Sequence, residues 1–414
     1  MKIAVVGSGI SGLSAAYYLS KKHKVDLFEK ENQFGGHANT IKVKYDLNKE
    51  INVDIGFMVF NKKTYPNLIN FFLENNIKIE KSDMSFSVSE TNGGIEYCGK
   101  GIKGIFSNKR NLFNIKFIKM FFEIISFYKN CEKLEIKKDD KKTLGEYLKE
   151  IKISKYFINY HIIPMVSAIW SMPPYESSQM PLTFFLSFFK NHGLFKLKNR
   201  PQWYTVSNRS RTYVNQIISK ISGEHYKNYK VKKIKRKSSG IDLYYGGQSE
   251  FFDYDKVVIA THADEALELI ENPTDEERKI LSNFSYKENI AYIHTDNRAM
   301  PKNKRAWSSW NSSIDDKDVE KNSISYWLNL LQNLKCEQDI FLTLNPYFDI
   351  DKSKILKKVR FTHPYYDQKA LDTQQELSKL QNQKDLLFCG SYFGYGFHED
   401  GIKSSIEMLK NLND

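Results

Sequence analysis

The chain has only four cysteines in 414 residues, Cys98, Cys131, Cys336 and Cys389, and no two lie within four positions of each other. That spacing excludes a zinc ribbon and a thioredoxin-like pair, and it fits a reducing compartment. The nine histidines contain no HxH or HxxxH pair, so no metal centre is expected. No run approaches the roughly 18 consecutive apolar residues of a membrane-spanning helix. Strand-like residues Ile3 to Val6 begin almost at Met1, which leaves no room for a secretory leader and makes a cytoplasmic location the expectation. Internal repeats, low-complexity tracts and long linkers are also missing.

Negative charge is in deficit, with 49 Asp and Glu against 62 Lys and Arg, for a net +13. Such a balance suits nucleic acid, an anionic membrane face or an acidic substrate, or it reflects a chain rich in Lys, Asn and Ile throughout. The densest basic run, Lys230 to Lys237, carries Val231 and Ile234 inside it and reads as the exposed side of a strand. It lacks an RNP-type aromatic motif, a helix-turn-helix pattern or zinc-finger spacing, so nucleic acid is not an expected partner. Peripheral contact with a membrane surface stays open.

What is present is concentrated at the front. "MKIAVVGSGISGLSAAYYLSKKHKVDLFEK" reads as strand, glycine turn, helix and second strand. Gly7, Gly9 and Gly12 follow the first strand in GxGxxG spacing. Gly7 serves the tight turn, Gly9 lets backbone N–H groups reach a pyrophosphate, and Gly12 allows helix and strand to pack closely. The helix N-terminus, spanning Ser8, Ile10 and Ser11, offers unpaired N–H groups to negative charge. The second strand ends at Glu29, about twenty residues after the turn, where a carboxylate binds ribose hydroxyls.

Past Glu29 and Lys30, "EKENQFGGHANT" places Gly35 and Gly36 and then Thr40. This stretch resembles the flavin-containing amine oxidase and phytoene-desaturase-like superfamily, in which Gly-Gly-Arg follows the ribose-binding acid; here His37 stands in place of the Arg. "VDIGFMVFNKKTYPNL", "NHGLFKLKNRPQWYTV", "KVVIATHADEAL" and "GYGFHEDGI" extend the likeness to a bacterial family of NAD/FAD-binding proteins encoded near cyclopropane-fatty-acyl-phospholipid synthases. The resemblance implies an α/β fold: a discontinuous Rossmann-like FAD-binding domain of the glutathione-reductase type (1–75, 205–275 and 375–414) with an inserted α+β substrate domain (76–204 and 276–374). It implies FAD as cofactor, with Asp54, Gly56 and Phe57 on a strand passing the flavin ring, Val231 near the adenine, and Ala260 and Thr261 near the phosphates. It also gives the closing segment, "FCGSYFGYGFHEDGIKSS", to the flavin, through Gly390, Ser391, His398, Gly401 and Ile402. Ser391 replaces a carboxylate common in relatives. Asp400 is placed to cap the last helix.

Catalysis by His398, Glu399 or Tyr392, as acid–base or channel groups, stands beside the plainer reading that they fix the loop. Asn61, Tyr65 and Trp310 are further pocket candidates, and His262 reads as structural. Lys287, Lys357 and Lys358 are the candidates for a lysine held through water near flavin N5. A second GxGxxG unit is missing, since Gly246 and Gly247 form a turn and Gly101 to Gly104 lack the flanking strand and helix. Oxygen or a quinone, not NAD(P)H, is therefore the expected electron acceptor.

In the inserted region, residues 111–130 read as a helix with a narrow polar stripe (Lys116, Lys119, Glu123, Ser126, Asn130), either a core helix or a surface helix dipping into lipid. Phe184, Phe185, Phe188 and Phe189, followed by lysines, suit an acyl chain with an anionic head as well as a plain core. Three functions remain: an FAD-dependent oxidoreductase passing hydride from an acyl lipid to flavin N5, an amine oxidase acting on a soluble amine, and a non-enzymatic lipid carrier.

Overall fold

Four separated stretches of sequence build one five-stranded parallel sheet in the order His225–Lys227, Lys24–Glu29, Lys2–Val6, Lys256–Ile259, Leu386–Phe388. A computed structural model describes residues 1–136, 140–246 and 250–412. IAVV and VVI of two inner strands and LLF of the edge strand are buried throughout, as expected for parallel strands covered on both faces. Pairing of Val6 with both Phe28 and Ile259 brings the ends of the three central strands to one level.

A three-stranded antiparallel sheet follows the chain through Val231–Arg236, Ile241–Tyr245 and Phe251–Tyr254. The basic run is indeed a strand: Val231 and Ile234 are buried while Lys232 and Lys235 are exposed. The turn expected at Gly246 and Gly247 has Gly246 at φ +61°, while Gly247 lies outside the described residues.

The second large layer is a seven-stranded sheet ordered Ile355–Tyr365, Ser285–His294, Phe341–Leu344, Asn322–Trp327, Trp310–Ile314, Phe86–Glu90, Glu96–Cys98. Its pairs are antiparallel except Trp310–Ile314 with Phe86–Glu90. Helices from residues 101 to 191 pack beside it. Leu182–Asn191 buries Phe184, Phe185, Phe188 and Phe189 together, so the aromatic cluster is core on two sides of one helix.

The helix expected over 111–130 is divided. A short 3₁₀ turn, Lys109–Phe113, precedes a helix running Ile115–Lys133. Asn114 makes the break, because its side chain accepts a hydrogen bond from Phe117 N–H at 3.2 Å and so caps the second piece. Phe117, Met120, Phe127, Tyr128 and Cys131 face the core. Among the described residues no helix is long and apolar enough to cross a membrane.

Candidate cofactor and active site

The first strand ends in a turn that only glycine fits. Gly7 adopts φ +99°, and a Cβ there would lie 2.8 Å from the Ala260 carbonyl oxygen. Gly12 is tighter still: its Cβ would fall 1.9 Å from the Gly7 carbonyl oxygen. Gly9, by contrast, has ordinary backbone angles and nothing within 4 Å of where a Cβ would project. It precedes the helix Ile10–Leu19, whose first N–H groups have no intrahelical partner.

Glu29 pins this turn. Its carboxylate accepts hydrogen bonds from Ser8 N–H at 3.1 Å, from Ser8 Oγ–H, and from Glu31 N–H at 2.9 Å. Gly35 N–H donates to Ser8 Oγ at 3.0 Å, which draws the Gly35–Gly36 loop over the turn until a Cβ on Gly36 would be 3.0 Å from Gly9 Cα. Lys30 turns away to an ion pair with Glu265 at 2.5 Å. Thr261 Oγ–H donates to the His262 carbonyl at 3.0 Å. Val231 is buried at the start of its strand.

The closing segment returns to the same place. Its helix, His398–Leu409, lies against the first helix: Ser14 Oγ and Ser405 Oγ are 2.7 Å apart, and a Cβ on Gly401 would meet Ser11 Oγ at 2.7 Å. Gly390 N–H donates to Ser404 Oγ at 2.9 Å, and Ile402 is buried. Asp400 does not cap this helix as its first flanking residue. The helix starts at His398, and Asp400 reaches back from the third helical position to accept Phe397 N–H at 2.9 Å. Burial raises the Asp400 carboxyl to about 6.

Glu399 holds a different helix. Its two oxygens accept Asn67 N–H and Leu68 N–H, each at 3.0 Å, and Asn67 Nδ2–H at 2.7 Å, at the N-terminus of Pro66–Glu74. This carboxylate is committed to capping, which leaves His398 and Tyr392 as the groups of the segment with unpartnered polar atoms. His398 stacks flat on Phe57, ring centroids 3.7 Å apart, and its Nε2 is buried without a partner. Desolvation pushes its pKa down to about 3, so it is neutral at pH 7 and a poor general base in the ligand-free site. Tyr392 covers Gly390 with its ring, and its hydroxyl is likewise buried and unpartnered. Ser391 opens the 3₁₀ turn Ser391–Phe393.

Four histidines from four distant segments converge here. His37 lies 5.3 Å from His363, ring to ring, and its pKa is held well below the ordinary value first by desolvation and then by His363, His262 and His398. His262 stacks on Tyr286 at 4.1 Å, and His363 Nδ1 is 2.9 Å from Asn289 Nδ2. Sequence reasoning missed His363 and Asn289, which sit on paired strands with no local motif to mark them. Among the described residues no group of three His, Cys, Asp or Glu side chains could hold a metal ion.

Several other candidates are otherwise engaged. Lys287 pairs with Glu176 and lies over the Tyr365 ring, while Lys357 and Lys358 are exposed, Lys358 over Tyr292. Asn61 closes a turn by accepting Lys63 and Thr64 N–H. Tyr65 is buried beside Phe60 and Trp203, and Trp310 packs edge-on against Tyr326. Gly56 passes so close to His37 that a Cβ would be 2.3 Å from its carbonyl oxygen.

Thr40 belongs to a buried polar knot centred on Asp54. Asp54 accepts Thr40 Oγ–H at 2.5 Å, Ser210 N–H at 2.9 Å and Ser210 Oγ–H at 3.0 Å, while Thr40 Oγ accepts Arg211 N–H at 2.9 Å. Asp54→Ala strands these donors, so unfolding free energy should fall by about 3 kcal/mol. A urea midpoint unchanged from the parent protein would contradict that role.

The open side of Gly9 beside a helix N-terminus, and the partnerless Nε2 atoms of His37 and His398, fit a dinucleotide flavin running from the phosphate turn toward the histidines. Fold and site together define an FAD-dependent oxidoreductase. A model of the flavin containing amine oxidoreductases matches residues 10–331, and the chain belongs to that family. In fold it is similar to the CLA-producing fatty acid isomerase of P. acnes (TM-score 0.67, 11% identity, 100% of this chain and 98% of that one). It is equally similar to cyclohexylamine oxidase of Brevibacterium oxydans IH-35A (TM-score 0.65, 13% identity, 99% of both chains). A sequence relative, 4,4'-diapophytoene desaturase of Staphylococcus aureus (strain Newman), is 51% identical over 43 residues, 10% of this chain and 9% of that protein. The chain thus spans about a tenth of the curated relatives it matches.

Proposed function

We propose that this oxidoreductase oxidises or desaturates an acyl lipid, in keeping with its likeness to the bacterial family encoded near cyclopropane-fatty-acyl-phospholipid synthases. The observation that supports this is a 480 Å³ cavity between the helix Leu182–Asn191 and the closing loop, where Phe184, Leu371, Phe393 and Tyr395 stand among polar groups such as Gln374 and Lys403. That volume lies in the range of small-molecule sites. Phe188 stacks on Phe397 at 5.2 Å behind this wall, and Trp170 lies 4.6 Å from Phe188, so the apolar surface continues toward His398. When bound, FAD supplies the hydride acceptor at N5.

The chain's own residues have the following parts in this reading. Ser8 to Gly12 and Gly35–Gly36 hold the pyrophosphate, Glu29 the ribose, and Gly390 to Ile402 the flavin end. His37 and His398 donate or accept hydrogen bonds at atoms now unpartnered, and Tyr392 lines the reacting side. Glu399 positions the loop. The FAD-binding part takes 1–75, 205–275 and 375–414 and the substrate part the remainder. Oxygen or a quinone takes the electrons, and the protein works in the cytoplasm against the inner membrane face.

A second reading, oxidation of a soluble amine, draws on Asp400 and Glu407, which also line the cavity. Anaerobic mixing of the purified yellow protein with dispersed membrane lipid, with an amine panel and with NADPH separates the two. Loss of the 450 nm band is expected with lipid. Bleaching by amines alone or rapidly by NADPH defeats the proposal, and a colourless protein that extracts lipid makes it a carrier.

A further inference from the structure

Residues 101–122 contain Lys103, Lys109, Arg110, Lys116 and Lys119 and no carboxylate. The same stretch exposes five of the largest apolar side chains on the surface: Ile102 (78%), Leu112 (51%), Phe113 (88%), Ile115 (84%) and Phe122 (65%). Ile115 and Phe122 are seven residues apart on the helix Ile115–Lys133 and share a face, opposite the one that buries Phe117 and Met120. Leu112 and Phe113 lie on the 3₁₀ turn just before it, and Ile102 on the short helix Gly101–Ile105.

These three elements are tied together rather than loose. Asn111 Nδ2–H donates to the Glu96 carbonyl at 2.9 Å and to the Ile105 carbonyl at 3.3 Å, and Phe106 meets Phe117 edge-on at 6.3 Å. Asn114 caps the long helix and donates to Tyr156 Oη at 3.1 Å. The exposed apolar groups are therefore presented by a fixed scaffold, not by a frayed segment.

We infer that this face docks the protein on an anionic lipid bilayer, with Phe113, Ile115 and Phe122 inserted among the acyl chains and the five cations at the headgroup level. An apolar tip flanked by a predominance of cations is the composition that interfacial elements use. A second copy of the chain is a poorer occupant: a twofold contact through this face would set Lys103, Lys109, Arg110 and Lys116 against their own copies, with Glu123 already paired to Lys119. The nearest acid in sequence, Glu123, accepts Ser154 N–H at 3.1 Å and pairs at 3.8 Å with Lys119, and Glu96 is buried. The inference rests on the acyl-lipid reading only for its purpose; the contact itself is a property of the surface.

Co-sedimentation with vesicles of phosphatidylglycerol and phosphatidylcholine tests it on the holoprotein, without turnover. Wild type should bind anionic vesicles at least tenfold better than pure phosphatidylcholine and lose most of that preference in 0.5 M salt. The triple variant Phe113→Ser/Ile115→Ser/Phe122→Ser should need at least tenfold more lipid for half-binding while keeping its thermal midpoint and flavin. Lys109→Glu/Lys116→Glu should weaken binding to anionic vesicles alone. Equal binding by wild type and the triple variant, absence of binding by wild type, or a dimer in light scattering that the triple variant dissolves would each overturn it. Failure here leaves the acyl-substrate reading standing, because that is judged by flavin bleaching with detergent-dispersed lipid.

Discussion

Gly9→Ala should yield a folded, colourless protein, whereas Gly12→Ala should yield little folded protein at all. The two glycines share one motif, but their surroundings differ. Gly9 has φ −63° and ψ 179°, angles any residue adopts, and no atom within 4 Å of the added methyl. The substitution therefore should change stability by no more than about 1 kcal/mol, the size of an N-cap effect. In the binding mode proposed above the open space takes the pyrophosphate at the helix N-terminus, so FAD affinity should drop at least about 100-fold, equivalent to about 2.7 kcal/mol. At Gly12 the methyl would sit 1.9 Å from a backbone carbonyl and 3.2 Å from Ala260 Cβ. Relief requires moving the first helix off the sheet, at a cost of about 3 kcal/mol or more. Flavin content from the ratio of absorbance at 450 and 280 nm, set beside thermal melting, reads both results. A yellow Gly9→Ala protein would remove the cofactor from this turn.

The same contrast shows what could be read from the chain alone. GxGxxG spacing placed the three glycines and the strand–turn–helix around them, because a parallel strand and a helix each carry their own local period. It could not say that Gly9 faces space while Gly12 faces a carbonyl, since those neighbours come from packing. The resemblance assigns the Gly-aromatic closing segment to the cofactor, and its helix does meet the first one at Ser14 and Ser405. Its starting point was misjudged by three residues. Asp400 looks like a cap in sequence, yet Glu399 is drawn to the N-terminus of Pro66–Glu74 and the helix begins earlier to reach it. The seven-stranded sheet was expected only as an α+β insertion, because its strands pair across as many as 224 positions, as in Ser87 with Asn311. For the same reason the meeting of His37, His262, His363 and His398 has no signature in the linear order. Each histidine sits alone in its own stretch, and only the fold makes them neighbours.

Acidification should then unfold this protein sharply. Burial holds His161 and His398 at about 3 and His192 and His294 at about 4, all far below the 6.5 of an unfolded chain. Each is hydrogen-bonded as a neutral ring or left apolar: His161 lies between the Tyr97 and Tyr128 hydroxyls, and His192 Nδ1–H donates to the Phe188 carbonyl at 3.0 Å. A depressed histidine contributes stability above its unfolded pKa that is lost as pH falls below it, because the unfolded state takes up the proton first. At pH 5 each of these four forfeits about 2 kcal/mol relative to pH 7. Asp54 and Asp400 act with the opposite sign. Burial raises each to about 6, so their ionised forms are unfavourable at pH 7, and protonation near pH 5 returns about 1.4 kcal/mol apiece. Over these six groups the histidines outweigh the aspartates by about 5 kcal/mol from pH 7 to pH 5, and His363, also held at about 4 by burial, adds to a loss that is a large share of the roughly 5–15 kcal/mol a domain commonly has. The urea midpoint should therefore fall steeply between pH 6.5 and 5, and His192→Phe should flatten that slope by one histidine's share. A midpoint that holds constant or rises toward pH 5 would mean that these rings find charged partners, or water, that their neutral packing does not show.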